Sequence, residues 1–367
     1  MKVAPQNSPA RYGPLNLKAG EWVEVRSGEE ILATLDERGR LENLPLMLEM
    51  LQYCGQRLRV YKRADKTCDY IQAWSIRRMK DSVHLEGVRC DGSGHDGCQA
   101  GCLIYWKEAW LKRADNNVVP AESLLQAQTP PMQVIGRCTI ENLLAAGKTT
   151  NQDGVPIYSC QATDVPKFTS HMRMWDPRQY IRDLRSGNLA SGLAGNTRAQ
   201  RMLDTALGIL RVLEAVTIWF FNEVQSRRHG VPYPFIEGTA TKSPAEFLDL
   251  QPGELVQVRS KEEIMATLDK DRRNRGLWFD VEMLPYCGGI YRVLRRVNCI
   301  IEEKTGKMIT MKNPCVVLEG VVCRSDFNRL CPRAIYPYWR EVWLRRAVDI
   351  PAPPAAAGMT KTCKEEE

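Results

Sequence analysis

The sequence lacks the features that mark a membrane protein or a secreted protein. No apolar run reaches the roughly 18 residues that a membrane helix needs, and the most apolar stretch, residues 212–221, contains Glu214. Residues 1–5 contain no apolar segment of the kind that opens a secretory signal. We therefore expect a cytoplasmic protein without a membrane span.

Recognisable catalytic motifs are also missing. The chain has only 4 His residues, and it contains no Walker A loop, dinucleotide-binding fingerprint, HExxH motif or nucleophile elbow. What it does contain is ordinary for a globular protein: 44% hydrophobic and 26% charged residues over 367 positions. This length predicts two or three domains, and no reaction follows from the motifs.

An internal duplication organises the chain. Residues 17–27 recur as residues 250–260, at an offset of 233 positions. The same offset relates residues 50–55 to 283–288 and residues 106–111 to 339–344. Two copies of one domain of about one hundred residues are therefore predicted. They span residues 17–114 and 250–347 and are called the first and second repeat below.

Each repeat has the pattern of a small β domain. Alternating or β-rich segments occur in the first repeat at residues 22–26, 57–63, 68–74, 83–89 and 108–113. Five short strands with one long loop after the first strand fit an SH3-like β-barrel. We interpret the recurring Trp106, Trp110, Trp339 and Trp343 as core residues. The predicted class is a β-rich multidomain protein, α+β overall, with two duplicated SH3-like barrels.

The region between the repeats, residues 115–249, is predicted to be a linker followed by a mainly helical middle domain. Asp176 as the N-cap and Pro177 as the first helical residue are typical of a helix start, and Gly187 is typical of a helix end. A second helix is expected over residues 197–227, with an apolar face that packs within the chain or forms a homodimer. Residues 348–367 are predicted to be a disordered tail.

Recurring cysteines predict a metal site. Cytosolic thiols stay reduced, so cysteines that recur in both copies favour zinc over disulfides. Cys68 aligns with Cys299 if the intervening hairpin is two residues shorter in the second repeat. If the third and fourth strands pair, Cys68 lies near the loop that follows the fourth strand. The predicted zinc ligands of the first repeat are Cys68, Cys90, Cys98 and Cys102, with His95 as the substitute.

The second repeat keeps fewer of these ligands. Ile335 stands at the Cys102 position and Asn328 at the His95 position. Only Cys299, Cys323 and Cys331 remain for a second site, which is then either degenerate or completed by Cys287. The alternative for both repeats is that these are buried free cysteines, which are common in protein cores.

Basic residues concentrate in the second repeat. It carries 18 Lys and Arg against 12 Asp and Glu, whereas the first repeat carries 16 against 15. Basic side chains next to aromatic ones can hold a nucleic-acid strand, although a solvated surface has similar charge. The candidate nucleic-acid contacts are Arg272, Arg273, Arg275, Arg292, Arg295 and Arg296.

Three functional hypotheses follow. The first is a non-enzymatic binding or scaffolding protein with tandem metal-stabilised SH3-like barrels and a protein partner, because two linked modules raise the effective concentration. The second is a nucleic-acid-binding protein that uses the Arg-rich second repeat. The third is an enzyme whose active site lies between the middle domain and a barrel. The motifs point to no characterised family.

Overall fold

The structure is a computed structural model, and it describes residues 12–72, 75–114, 138–173, 176–189, 198–230, 233–234 and 236–347. The predicted tail, 348–367, lies outside the described residues. Small antiparallel sheets and helices alternate along the chain, which confirms the α+β class. None of the described helices is both long enough and apolar enough to cross a membrane.

The described part of the first repeat contains nine short strands and one α-helix. Three 3₁₀ helices, Leu48–Tyr53, Ser93–His95 and Glu108–Trp110, lie between them. The elements are β1 (Trp22–Val25), α1 (Gly28–Leu32), β2 (Arg40–Leu41), β3 (Leu44–Pro45), β4 (Arg57–Arg63), β5 (Lys66–Asp69), β6 (Ser75–Arg78), β7 (Ser82–Leu85), β8 (Trp106–Lys107) and β9 (Leu111–Arg113) in chain order.

The middle region contributes helices and short hairpins. Its elements are α2 (Ile140–Gly147), β10 (Lys148–Thr150), β11 (Pro156–Tyr158), α3 (Val165–Phe168), β12 (Ser170–His171), α4 (Arg178–Ser186) and α5 (Arg198–Arg227). Pro177 caps the start of α4, one residue later than predicted, and Gly187 ends it in the left-handed conformation. Only glycine adopts that conformation readily, so the predicted helix end is confirmed.

The second repeat follows the same order as the first. Its 3₁₀ helices are Val281–Tyr286 and Glu341–Trp343. The other elements are β13 (Leu255–Val258), α6 (Lys261–Met265), β14 (Arg273–Asn274), β15 (Leu277–Trp278), β16 (Ile290–Arg296), β17 (Cys299–Ile301), β18 (Met308–Thr310), β19 (Cys315–Leu318), β20 (Trp339–Arg340) and β21 (Leu344–Arg346).

Each repeat is built on a five-stranded antiparallel sheet. The order is β8-β7-β4-β1-β9 in the first repeat and β20-β19-β16-β13-β21 in the second. The registers also match, because Trp22 pairs with Arg59 and Leu255 with Arg292, 233 positions later in both strands. Neither sheet closes on itself among the described residues. The five-stranded units are therefore established, whereas the SH3-like barrel stays a prediction.

The recurring tryptophans form the core of each sheet, as predicted. Trp106, Trp110, Trp339 and Trp343 are completely buried. The Trp110 indole N–H donates to the Thr34 hydroxyl at 3.0 Å, and the Trp343 indole N–H donates to Thr267 at 2.9 Å. A buried indole N–H needs such an acceptor, so each threonine fixes the helix that precedes it against the sheet.

One strand pairing differs from the prediction and moves a predicted ligand. β5 pairs with β6, and β6 with β12, in a separate sheet, while β7 pairs with β4 and β8. The assumed pairing of the third and fourth strands is therefore wrong.

The structure also corrects the alignment of the cysteines between the repeats. The Ala64 N–H donates to the Ser82 carbonyl, and the Val297 N–H donates to the Cys315 carbonyl, so the offset of 233 positions holds on both sides of the β5–β6 hairpin. Cys68 is thus equivalent to Ile301, and Cys299 to Lys66, so the proposed alignment of Cys68 with Cys299 is wrong.

The two repeats are joined by an extensive set of hydrogen bonds. Arg89 donates to the Ala334 carbonyl at 2.8 Å, and Arg333 donates to the Cys68 carbonyl at 3.2 Å. Arg295 of the second repeat also donates to the Gln99 carbonyl of the first, at 3.0 Å. Hydrogen bonds of this kind, buried or partly buried, hold the two repeats together.

Packing of the apolar face of α5 within the chain is the favoured expectation, but the structure leaves that face exposed. The helix bounds agree with the predicted 197–227. However, Leu203 is 55% exposed, Leu210 is 59% exposed and Leu213 is 57% exposed. The residues that the chain covers lie on the other side of the helix and include Gly208 and Ala215. Glycine and alanine allow the close approach of α4 and the segment that follows it.

His84 gives the fold a testable dependence on pH. It lies in β7, completely buried, with Nδ1 donating to the Ile104 carbonyl at 2.8 Å. Burial lowers the pKa of His84 to about 3, and the bond to Ile104 opposes this only in part. The folded protein therefore keeps His84 neutral at a pH at which the unfolded chain, with a pKa near 6.5, takes up a proton.

We expect His84→Val to reduce the loss of stability in acid. Below pH 6.5 the His84 side chain is protonated in the unfolded state but stays neutral in the folded state. The free energy of unfolding therefore falls by about 1.4 kcal/mol per pH unit until the pH approaches the pKa of His84 in the folded protein. Between pH 6.5 and 4.5 the wild type should lose about 2–3 kcal/mol more than the variant. The second repeat already has the buried Val317 at this position. Urea unfolding at several pH values checks this, and parallel curves for the two proteins would contradict it.

Candidate metal centre and the cavity between the repeats

Three side chains of the first repeat, two of them buried and one partly buried, converge on one point. Glu49 comes from the 3₁₀ helix Leu48–Tyr53, Cys90 follows β7, and His95 ends the 3₁₀ helix Ser93–His95. Glu49 Oε1 lies 3.0 Å from Cys90 Sγ and 3.3 Å from His95 Nδ1. Within the described ranges, this is the only set of three or more His, Cys, Asp or Glu side chains whose donor atoms all lie within 4.8 Å of one another. The cluster can hold a metal ion.

Unpaired polar atoms show that the cluster is suited to a cation. Glu49 is 4% exposed and His95 is 3% exposed. Even so, Glu49 Oε2 and His95 Nδ1 have no hydrogen-bond partner among the described residues. A buried polar atom without a partner costs about 1–3 kcal/mol, and a coordinated cation removes that cost.

The ionisation of the cluster is governed by burial and by its own members. Burial raises the pKa of Glu49, but the nearby imidazole of His95 and the hydrogen bond from Cys90 outweigh it and leave the pKa below its ordinary value. Burial, followed by the Glu49 charge, raises the pKa of the Cys90 thiol. Without a cation the thiol therefore remains protonated and donates to the carboxylate, whereas a bound metal ion would displace that proton.

Two glycines let the loop after β7 close over Glu49. Gly92 has φ +79°, and a Cβ there would meet the Cys98 carbonyl oxygen at 2.1 Å. At Gly94 a Cβ would lie 2.4 Å from Glu49 Oε2. In the first repeat the missing Cβ atoms at these two positions leave room for the Cys98 backbone and the Glu49 carboxylate, so the Gly-rich loop can cover the cluster.

The second repeat has the same loop backbone with a different chemistry. Its counterpart of Glu49 is Glu282, which is also buried and accepts the N–H groups of Asp326 and Phe327 at 3.1 and 2.8 Å. Burial raises the pKa of Glu282 to about 7. Asn328 stands where the first repeat has His95. The Glu282 carboxylate thus accepts two backbone N–H groups in the second repeat, whereas Glu49 accepts the Cys90 thiol and keeps Oε2 without a hydrogen bond among the described residues.

The predicted quartet of the first repeat is not assembled. Cys68 lies instead against the second repeat, where its N–H donates to Cys331 Sγ at 3.2 Å. Cys98 Sγ accepts the Ile301 N–H at 3.3 Å. Cys102 is paired with Cys90 only through the backbone, Cys90 N–H to Cys102 O at 2.9 Å. Cys90 and the substitute ligand His95 are the two predicted residues that do meet.

The predicted set of the second repeat is also dispersed. Cys323 Sγ lies 3.3 Å from the Ser325 hydroxyl, and Cys299 Sγ contacts the Gly97 carbonyl at 3.6 Å. Cys331 Sγ accepts the N–H of Cys68 of the first repeat. All cysteines of the described ranges are free thiols. Several predicted ligands therefore line the contact between the repeats.

A cavity of about 510 Å³ lies between the two repeats and the middle region. Its wall is mainly apolar and aromatic, and it includes Cys90 and His95 of the cluster. The first repeat, the middle region and the second repeat all contribute, for example through Leu103, Tyr105, Ala162, Trp278, Ile335 and Tyr338. Concave, mostly apolar spaces of this size at domain interfaces are the usual ligand sites of proteins.

Five of the six arginines that were candidate nucleic-acid contacts form ion pairs or hydrogen bonds within the chain. Arg296 pairs with Asp249 at 2.9 Å, Arg292 with Glu319 at 3.8 Å, and Arg272 with Glu237 at 3.6 Å. Arg295 bonds the Gln99 carbonyl, and Arg275 bonds Asn313 at 3.2 Å. Arg273 is exposed in β14. Nucleic-acid binding stays a prediction.

Comparison with known proteins supplies no relative. No protein-family model, no curated protein and no solved structure matches the chain.

Proposed function

We propose that the protein is a non-enzymatic binding protein that holds one zinc ion at Glu49, Cys90 and His95 and a small organic ligand in the cavity between its repeats. The observation that carries this proposal is that two of the three donor residues, Cys90 and His95, also form part of the cavity wall. The SH3-like character of the two sheets belongs to the same proposal.

Zinc is the metal that best suits the donor set. Thiolate, imidazole and carboxylate are its usual protein ligands, and hard cations such as Mg²⁺ or Ca²⁺ prefer oxygen alone. Across the described part of the chain, no fourth His, Cys, Asp or Glu donor joins the three within 4.8 Å. Zinc prefers four ligands, so one position would be left for a molecule from the cavity.

The cavity wall then defines the class of ligand. Residues such as Leu103, Ile335 and Trp278 provide an apolar and aromatic surface, which favours a ligand with an apolar body. The open metal position favours a single nitrogen or sulfur donor at one end of that body. Imidazole and 4-phenylimidazole are matched probes, because they share the donor and differ in the apolar ring.

We expect 4-phenylimidazole to bind the cobalt-substituted protein at least tenfold more tightly than imidazole does. Burying a phenyl ring adds on the order of 2 kcal/mol. Titration followed by the visible absorption of cobalt reports both cobalt loading and binding of the probe to it. The metal site and the ligand cavity are therefore tested separately. Cobalt loading tests the metal site, and the ratio of the two affinities tests the cavity.

Ala100→Phe provides the control. Ala100 is partly buried on the cavity wall, and a ring there should remove the preference for 4-phenylimidazole while cobalt loading stays unchanged. Equal affinities for the two probes in the wild type would overturn the assignment of the cavity. A wild type that takes up no cobalt would overturn the metal site.

The enzyme hypothesis has one observation in its favour. Three protein ligands with an open fourth position are typical of catalytic zinc sites, whereas structural sites are closed. The middle region also reaches the cavity through Cys160, Gln161 and Ala162, as an active site between the middle domain and a repeat requires. Tight binding of the matched probes without turnover of ester or amide substrates would favour the binding protein.

A further inference from the structure

Helix α5 carries a mainly apolar stripe on its exposed side, which we name the α5 seam. It consists of six residues that are all exposed: Leu203, Ala206, Leu210, Leu213, Thr217 and Phe220. Thr217 is the one polar member, and its hydroxyl donates to the Leu213 carbonyl of the same helix at 2.8 Å. Their spacing is three, four, three, four and three residues. Met202, Ile209 and Val216 flank it and are also exposed, at 67%, 45% and 40%.

The opposite side of α5 is already used by the chain itself. Ala215 and Val212 pack with Leu184, Leu189 and Leu330. Arg211 forms an ion pair with Asp326 of the second repeat at 2.6 Å. These contacts fix the rotation of the helix, so the α5 seam faces away from the described part of the chain.

The spacing of the α5 seam identifies its occupant. An apolar residue every three and four positions is the heptad pattern by which one helix packs against another of the same pattern. Such a seam is self-complementary, and two identical patches related by a two-fold axis form the commonest kind of protein dimer. The six positions extend over about 25 Å of helix, and none of them is charged.

The exposed area is also sufficient. Eight large apolar side chains of α5, including Phe220 at 62% and Phe221 at 45%, are exposed by 40% or more. Half-burying side chains of this size removes on the order of 700 Å² per chain, close to the roughly 800 Å² per partner of a stable interface. An isolated patch of that size is unusual on a monomer.

We propose that two copies of this chain pair through the α5 seam, so that the protein is a homodimer in solution. This proposal is independent of the metal and of the cavity, because neither includes a residue of α5. Each dimer would present two cavities.

Light scattering coupled to size-exclusion chromatography tests the proposal on the full chain. We expect the wild type to have the mass of a dimer, and Leu210→Asp and Leu213→Asp to have the mass of a monomer at the same concentration. Because these residues are more than half exposed, the variants should keep the circular dichroism and melting temperature expected of a folded monomer.

Leu144→Asp is the matched control. Leu144 is an exposed leucine, at 54%, on another helix, α2, and its variant should remain a dimer. A monomeric wild type at about 100 μM would overturn the proposal, as would a dimer that both seam variants preserve. A monomer that sediments with phosphatidylcholine–phosphatidylglycerol vesicles, and fails to do so as Leu210→Asp, would assign the α5 seam to a lipid surface and also overturn the dimer.

Discussion

Purified protein is expected to contain about one zinc ion per chain, and His95→Asn is expected to reduce the zinc content to below about one tenth of that value. Removing the imidazole leaves two protein ligands, and a structural or catalytic zinc site needs at least three. The substitution copies the second repeat, which has Asn328 in the equivalent loop. Metal analysis after dialysis against a weak chelator gives the zinc content directly. Thermal unfolding should show the same difference, because a ligand that binds only the folded state raises its stability.

The duplication supplies the control for this experiment. Cys90→Ser should lose zinc like His95→Asn, whereas Cys323→Ser, its counterpart in the second repeat, should keep it. Cys323 contacts Ser325, and among the described residues it belongs to no group of three donors within 4.8 Å. Zinc that survives His95→Asn but not Cys323→Ser would move the site to the second repeat. Protein that binds no zinc after refilling with excess metal would exclude the site altogether.

Much of the fold could be predicted because the repeat itself is informative. Alternation in residues 57–63 corresponds to β4, Arg57–Arg63, and the recurring tryptophans are the core. The helix ends at Gly187 and near Arg227 were also predictable, since capping and periodicity are local properties. These features depend on neighbouring residues along the chain, which the sequence displays directly.

The strand pairing could not be predicted in the same way. The short strand β6, Ser75–Arg78, lies between β5 and β7 in the chain and pairs with β5. Its Arg-rich sequence has no apolar alternation, so nothing marks it as a strand. Because β5 pairs with β6 and not with β7, Cys68 does not lie beside Cys90. Its N–H instead donates to Cys331 Sγ of the other repeat. Contacts between repeats are long-range, and no local pattern encodes them.

The metal cluster was predictable in part. Cys90 follows from its recurrence in both repeats and His95 from its place in the same loop, whereas Glu49 lies 41 positions before Cys90 in an apolar segment and is not among the predicted ligands. A signal was present, since a glutamate recurs at 49 and 282 among leucines and methionines. A charged residue that recurs at a position surrounded by apolar ones is either paired or functional.

The same reasoning identifies a second pair of buried carboxylates, Glu108 and Glu341, for which we expect a large effect on stability. Glu108 is 1% exposed. Its Oε2 accepts the N–H groups of Leu15 and Asn16 at 2.7 and 2.9 Å, and its Oε1 accepts Leu17 N–H at 2.8 Å and Arg63 Nη1 at 2.7 Å. One carboxylate therefore holds the segment before β1 and neutralises a guanidinium that is largely buried.

Glu108→Gln should lower the free energy of unfolding by about 3–5 kcal/mol. The amide keeps the volume but turns an N–H toward backbone donors, and each buried donor left without an acceptor costs about 1–3 kcal/mol. Arg63 keeps its pair with Asp65 at 3.1 Å, so most of the loss is expected from the backbone N–H groups. Glu341 accepts the N–H groups of Leu248, Asp249 and Leu250, so Glu341→Gln should cost a similar amount.

Glu86→Gln is the control for this comparison. Glu86 pairs with Arg59 at 3.7 Å, and its side chain is 47% exposed, so its loss should change the free energy of unfolding by less than about 1 kcal/mol. Urea unfolding of the three variants against the wild type gives the values. If Glu108→Gln were as mild as Glu86→Gln, the backbone donors would be finding other acceptors, and the carboxylate would not be what holds residues 15–17 to the first sheet.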